Sequence, residues 1–194
     1  MKKRKPAKTV YVYRYSLLDV MMASPTQPLP KELQRHQLTR MHQGLEAMEK
    51  APEPTTDDWR VTSDAVNIME TLVTSGDFFE MKIDSETGEA YKAPIPGMWY
   101  GCDGDPVEIT DASGLLNDAV TALAMAGKRH KAGGNIRLDG AGIQAVRGVL
   151  ADYADILDAL PARTMIKAHR ETERRIHEIL AGKKKPHDVE VMDL

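Results

Sequence analysis

The sequence predicts a mainly α-helical protein, a bundle of five or six helices that carries one small acidic insertion. Aromatic residues make up only 5% of the 194 residues, so small aliphatic side chains and eleven methionines supply most of the apolar volume. Cores of this composition favour helices. Apolar residues also recur every three or four positions along most of the chain. Only residues 77–111, rich in glycine and proline, depart from this pattern.

The chain begins with a basic N-terminal arm, residues 1–15. Six Lys or Arg and no acidic residue occur in residues 1–14. The alternation from Val10 to Tyr15 indicates some strand character. A short helix is then predicted from Ser16 to Ala23, before a proline-rich loop.

Two long helices are predicted next. The first is predicted to begin at Pro30, because proline is tolerated in the first turn of a helix. It ends near Lys50. The second follows the N-cap candidates Thr55 to Asp58 and ends at Ser75. Their apolar positions follow helical spacing and are Leu33, Leu38, Met41, Leu45 and Met48 in the first, and Trp59, Thr62, Val66, Met69 and Val73 in the second.

Residues 77–111 are predicted to form an insertion between helices. The segment from Phe79 to Lys92 resembles two short strands around a glycine-containing turn, which favours a β-hairpin. A loop rich in proline and glycine follows. So short a segment is unable to bury a core of its own, so residues 16–182 are predicted to form a single domain.

Three further helical segments are predicted after Asp111. The strongest starts at Asp139 or Gly140 and carries an apolar seam at Ile143, Val146, Leu150, Tyr153, Leu157 and Leu160. We expect this 139–160 helix at the centre, against 114–127 and 162–181. A homodimer through the same seam is an alternative, because such a seam serves bundles and dimers equally well. Residues 183–194 are predicted to be a flexible tail after a cap at Gly182.

Charge is strongly segregated along the chain. Residues 53–111 hold fourteen acidic and three basic residues, whereas residues 1–52 hold ten Lys or Arg and four acids. The net charge of the whole chain is only −3. Because crowded like charges repel one another, the acidic segment predicts a surface that meets a partner.

Composition also bears on compartment. The single cysteine, Cys102, has no partner for an internal disulfide, which fits a reducing cytoplasm. No apolar run approaches the roughly 20 residues of a membrane helix, and the basic start lacks the apolar region of a signal peptide. We therefore predict a cytoplasmic protein without a membrane partner.

No motif in the chain predicts a catalytic chemistry. His169, Glu173 and His177 share one helix face, but the eight-residue step between the histidines differs from the one-turn spacing of helical zinc motifs. Cys102 lies beside Asp103 and has no histidine nearby in sequence. The interpretation is therefore a non-enzymatic protein without a metal or cofactor.

Several features of the sequence resemble an uncharacterised family of small helical proteins encoded by tailed bacteriophages and related prophages. These features are the opening Lys3 to Pro6, the Asp57-Asp58-Trp59 triplet leading into Asn67 to Leu72, and Gly134 to Ile143. The last runs into a helix that contains Asp152 and Asp158. The resemblance implies a phage-like origin and a helical fold, and it assigns no functional residue. The 77–111 segment is longer than the family leads us to expect.

Phage genomes encode many small proteins that block host machinery, including anti-CRISPR and other anti-defence inhibitors. The leading hypothesis is therefore a protein that occupies a basic, nucleic-acid-handling surface of a host complex through the insertion. Carboxylates would supply charge, and Trp99 and Tyr100 an apolar anchor. The candidate carboxylates are Asp77, Glu80, Asp84, Glu86, Glu89, Asp103, Asp105 and Glu108.

The competing hypothesis is a nucleic-acid-binding accessory protein that uses the basic arm. Lysine and arginine side chains neutralise phosphates, and the interleaved tyrosines would stack on bases. The candidate residues are Lys2, Lys3, Arg4, Lys5 and Lys8.

Overall fold

A computed structural model describes residues 14–180, with side chains as far as Glu178. Six helices and two antiparallel β-hairpins make up this part of the chain. The prediction of a mainly α-helical protein is confirmed. In chain order the elements are α1 (Leu17–Met22), α2 (Lys31–Lys50), α3 (Thr56–Thr74), β1 (Phe79–Ile83), β2 (Ala90–Pro94), β3 (Met98–Tyr100), β4 (Pro106–Glu108), α4 (Leu115–Lys131), α5 (Gly140–Ala159) and α6 (Ala162–Leu180).

Side-chain caps mark the starts of α3 and α5 at positions that the sequence predicts. The hydroxyl of Thr55 accepts the backbone N–H of Asp58, whose carboxylate in turn accepts the backbone N–H of Thr55. Asp139 caps α5 by accepting the N–H of Gly142 at 2.7 Å. Such caps satisfy amides that have no partner inside the helix.

Helix α5 lies at the centre of the core. It packs against α2, α3 and α4. Every member of its apolar seam is buried, from Ile143, 8% exposed, to Leu160, which is fully buried. The seam is thus covered by other helices of the same chain, and the homodimer alternative stays a prediction.

Helix α6 lies elsewhere than predicted. It packs mainly along α3 and α1 rather than along α5. At its start, the backbone N–H groups of Ala162 and Arg163 donate to the carbonyl oxygens of Gln27 and Ser24. These bonds tie the N-terminus of α6 to the loop after α1.

The insertion contains a second hairpin where the sequence predicts only a loop. Strands β1 and β2 pair from Phe79 opposite Pro94 to Ile83 opposite Ala90, which confirms the first hairpin. Strands β3 and β4 pair as well, with Trp99 opposite Val107. Gly97, with a φ of 73°, makes the turn between the hairpins, and a Cβ there would clash with the carbonyl of Ile109.

Within residues 14–180, no helix combines the length and the apolar character needed to cross a bilayer. The predicted arm up to residue 13 lies outside the described residues, and so do the tail and the cap at Gly182.

Candidate interaction site

The turn of the first hairpin is built around Asp84. One carboxylate oxygen of Asp84 accepts the backbone N–H groups of Glu86 and Thr87, both at 2.8 Å. These backbone hydrogen bonds lower the pKa of Asp84. Gly88 completes the turn with a φ of 73°. The carboxylate of Asp84 therefore stabilises the turn, whereas the sequence predicts it as part of a partner surface.

The second hairpin is anchored in the core by Trp99. This side chain is 5% exposed, and its indole Nε1 donates to the carbonyl oxygen of Leu72 at 2.7 Å. The backbone N–H of Cys102 donates to the carbonyl oxygen of Ala159 at 3.0 Å, at the C-terminal end of α5. The expectation that Trp99 anchors a partner is therefore corrected: the side chain joins the insertion to the helices.

One face of the first hairpin exposes three large apolar side chains. Phe79, Met81 and Ile83 alternate along β1 and are 59%, 63% and 74% exposed. Side chains at alternate positions share a face of a strand. Ala93 belongs to the opposite face of the hairpin and is buried. Phe79, Met81 and Ile83, here called the apolar stripe, therefore point towards solvent.

Several of the predicted partner carboxylates are engaged inside the chain. A carboxylate oxygen of Asp77 lies 3.7 Å from Nζ of Lys167, and one of Glu80 lies 2.9 Å from Nζ of Lys82. Asp103 accepts the backbone N–H two residues further on at 3.0 Å, which closes a local turn. These groups stabilise the insertion and carry less net charge to its surface than the sequence suggests.

Four of the predicted carboxylates remain open to a partner. All four side chains are exposed, and within residues 14–180 none accepts a hydrogen bond or forms an ion pair. Two of them follow Asp84 at the distal end of the first hairpin, next to the apolar stripe. The four residues are Glu86, Glu89, Asp105 and Glu108.

Tyr100 lies on the outer face of the second hairpin, and 47% of it is exposed. Its ring packs against Phe78 with ring centroids 4.1 Å apart. This contact joins the two hairpins at their bases. Tyr100 is therefore partly exposed, whereas Trp99 is buried, and the role of Tyr100 in binding a partner stays a prediction.

Sequence reasoning missed the apolar stripe, although its signal was visible. The alternation of apolar and charged residues from Phe79 to Ile83 predicts a strand with one apolar face. Such a face normally turns towards the core. Here the opposite face of the hairpin, which carries the buried Ala93, faces the core instead.

The three candidate metal ligands of α6 do not converge on a common centre. His169 is 3% exposed, with its Nε2 3.3 Å from the hydroxyl of Tyr153. Glu173 instead accepts the backbone N–H of Arg14 at 3.0 Å, and His177 is half-buried. Among the described residues, no group of three or more His, Cys, Asp or Glu side chains is arranged to hold a metal ion.

The buried imidazole of His169 predicts a loss of stability in acid. Burial lowers its pKa from 6.5 to about 3, so the ring is neutral in the folded protein and becomes charged in the unfolded chain below about pH 6.5. Protonation of the unfolded chain therefore leaves the free energy of unfolding unaffected above about pH 6.5. Between about pH 6.5 and pH 3 it lowers the free energy of unfolding by about 1.4 kcal/mol for each pH unit. Urea unfolding of wild type and His169→Phe from pH 7 to pH 4 measures the difference.

The wild type should lose stability relative to His169→Phe over this range. Replacing His42, an exposed histidine on α2, by Gln is the control and should leave the pH dependence of unfolding as in the wild type. Parallel curves for wild type and His169→Phe would contradict the assignment.

Cys102 is placed unfavourably for nucleophilic chemistry. Burial raises the pKa of its thiol, and the carboxylates of Asp103 and Asp158 raise it further. The thiolate is the reactive form of cysteine, and these neighbours disfavour it at neutral pH. The environment of Cys102 thus fits a structural thiol.

A scan against protein-family models finds no family that matches this chain, and neither the curated proteins nor the solved structures contain a match to it. Function is therefore inferred from the geometry of residues 77–111 and of the helices that hold them.

Proposed function

We propose that this chain is a phage-encoded, non-enzymatic binding protein of the host cytoplasm, needing no cofactor. In this role it inhibits a host complex that handles nucleic acid or defends the cell, as anti-CRISPR proteins do. One observation carries the proposal: the apolar stripe faces solvent beside the open carboxylates of Glu86 and Glu89. The first hairpin is the docking element.

The apolar stripe supplies the favourable part of binding. Contiguous exposed apolar side chains rimmed by polar groups are typical of interaction sites. A few large side chains at the centre of an interface usually carry most of its affinity. Phe79, Met81 and Ile83 are such a group, held in one line by the hydrogen-bonded register of β1 and β2.

The open carboxylates determine which kind of partner binds. Glu86, Glu89, Asp105 and Glu108 present negative charge without a compensating cation from the described residues. Lysine and arginine side chains that normally contact phosphates are complementary to this charge. A basic groove of a nucleic-acid-handling protein therefore fits the insertion, and carboxylates there would compete with the nucleic acid.

Neutralising Glu86 and Glu89 together, as Glu86→Gln and Glu89→Gln, is expected to slow association with the partner and to reduce its salt dependence. Dissociation should change little, because peripheral charges mainly steer the encounter. The partner is first captured from nuclease-treated bacterial lysate and identified by mass spectrometry. Surface plasmon resonance with the purified partner at low and moderate salt then gives both rates.

The control for this experiment replaces two exposed acids outside the insertion, as Glu53→Gln and Asp152→Asn. It changes the net charge equally and should leave association close to that of the wild type. An equal loss in both double variants would mean that overall charge, rather than the hairpin, attracts the partner.

A second candidate function is nucleic-acid binding through the basic arm. It is favoured by the place where the arm joins the described chain, because Arg14 lines one pocket together with a second exposed arginine, Arg40, and the exposed imidazole of His36. Deleting residues 1–8 should abolish binding to nucleic acid under this alternative and leave capture of a host protein unchanged under the first proposal.

A further inference from the structure

A pocket of about 220 Å³ lies between the first described residues and the helices α2 and α3. Arg14 and Tyr15 line it from one side. His36 and Arg40 of α2 and Asp64 of α3 line it from the others. The pocket is formed by different elements from those of the hairpins, and it has a different chemistry.

Positive charge exceeds negative charge around this pocket. Among the described residues that line it, Asp64 is the single carboxylate, and Arg14 forms an ion pair of 3.0 Å with it. Arg60, which is bound to Asp57 at 2.7 Å, and Arg40 act on Asp64 electrostatically as well. Arginine side chains therefore compensate the charge of this carboxylate.

The guanidinium of Arg40 and the imidazole of His36 are available to a ligand. The side chains of His36 and Arg40 are exposed at the pocket, and within residues 14–180 neither forms a hydrogen bond or an ion pair. Tyr15 adds a hydroxyl that accepts from the side-chain amide of Gln37 at 3.0 Å. The proton of this hydroxyl has no acceptor among the described residues, so it too is a potential donor to a ligand.

The floor of the pocket is apolar. Met41 and Val61 line it and are 2% and 7% exposed, and Leu33 lies at the rim with 46% of its surface exposed. Hydrogen-bond donors that can bind an oxyanion thus lie next to an apolar floor that can contact a short carbon chain or a ring.

We infer that this pocket binds a phosphate monoester. The guanidinium of Arg40 matches phosphate oxygens in a two-pronged geometry, and charge-assisted hydrogen bonds of this kind are among the strongest in proteins. The ester's organic part contacts the floor of Met41 and Val61. The pocket has room for a phosphate with a small organic group, so the ligand is either a small phosphate ester or the terminal phosphate of a nucleic acid.

Asp64 tunes the affinity of this site. Its carboxylate occupies the guanidinium of Arg14 and repels an incoming anion. Removing the negative charge by Asp64→Asn frees Arg14 and should tighten binding. An increase in affinity on loss of a side chain is not expected from a merely structural role for Asp64.

Calorimetric titration of the full chain with phenyl phosphate at low salt tests the inference. The wild type should show saturable binding that inorganic phosphate displaces and an equal ionic strength of chloride does not. Arg40→Gln should weaken binding by about tenfold, the effect of losing one charge-assisted hydrogen bond, and Asp64→Asn should strengthen it.

Arg35→Gln is the matched control. Arg35 is an exposed cation on the same helix but faces the groove that Asp155 and Asp158 line, so its loss should leave binding unchanged. Absence of saturable binding by the wild type would overturn the inference. Equal weakening by Arg35→Gln and Arg40→Gln would also overturn it.

Competition separates the two sources of the phosphate. A short 5′-phosphorylated oligonucleotide that displaces phenyl phosphate, when the 5′-hydroxyl strand does not, identifies a nucleic-acid end as the ligand. A small phosphate ester is the ligand if neither strand competes. The inference does not rest on the hairpin proposal, because the two sites share no residue.

Discussion

Replacing the apolar stripe with alanine, as Phe79→Ala, Met81→Ala and Ile83→Ala, is expected to lower affinity for the partner by about a hundredfold or more. Truncating one central interface side chain typically costs about 2 kcal/mol or more, so the loss of three exceeds a factor of one hundred. The side chains are more than half exposed in the free protein. Their removal should therefore leave the free energy of unfolding nearly unchanged. Affinity is measured by surface plasmon resonance and stability by urea unfolding.

Helix α1 provides a closely matched control for this triple variant. Its side chains Leu18, Met21 and Met22 are 64%, 72% and 78% exposed. The variant Leu18→Ala, Met21→Ala and Met22→Ala removes a similar apolar area and should retain wild-type affinity. If the α1 variant loses binding and the hairpin variant keeps it, the docking surface lies on α1 and the proposal is wrong.

Replacing Trp99 with alanine is expected to destabilise the fold by about 3–5 kcal/mol, the usual cost of removing a buried aromatic side chain. The indole fills the contact between the insertion and the helices, and its removal leaves both a cavity and an unpaired carbonyl oxygen at Leu72. Urea unfolding measures the loss. Trp99→Phe restores most of the buried volume but not the hydrogen bond, so its cost should be clearly smaller.

The two substitutions at Trp99 also separate the two roles considered for this residue. If Trp99 anchored a partner from the surface, Trp99→Ala would reduce affinity and cost less than about 1 kcal/mol of stability. A loss of stability of several kcal/mol is the result expected for a side chain inside the core.

Helix positions could be predicted because their determinants are local. Thr55 and Asp139 each cap a helix by accepting a backbone N–H three residues further on, and apolar spacing identifies the buried face of α5. The first hairpin followed from its turn around Gly88. Each of these signals involves residues close together in sequence, where propensity and periodicity are informative.

The second hairpin and the place of α6 depend on contacts between distant residues. Strands β3 and β4 have three residues each, too few for a recognisable alternation. The buried indole of Trp99 donates a hydrogen bond to the carbonyl oxygen of Leu72, 27 positions away in sequence. The start of α6 is set by backbone bonds to Ser24 and Gln27. None of these pairings has a sequence signature.

The sequence predicts the acidic charge of the candidate site, but it does not predict which of its side chains are exposed. Counting residues identifies an acidic segment, but it does not distinguish Asp84 and Asp103, which hold turns, from Glu86 and Glu89, which are open. The outward direction of the apolar stripe required the structure, because a strand pattern shows that two faces differ and not which of them is buried.

Hydrogen exchange of the complex with the purified partner tests the central claim most directly. Backbone amides that a partner covers exchange more slowly than in the free protein. Protection on binding is expected to be greatest in β1 and β2, from Phe79 to Pro94. Protection confined to α1 or to the Arg14 pocket, with exchange of the hairpin unchanged, would contradict it.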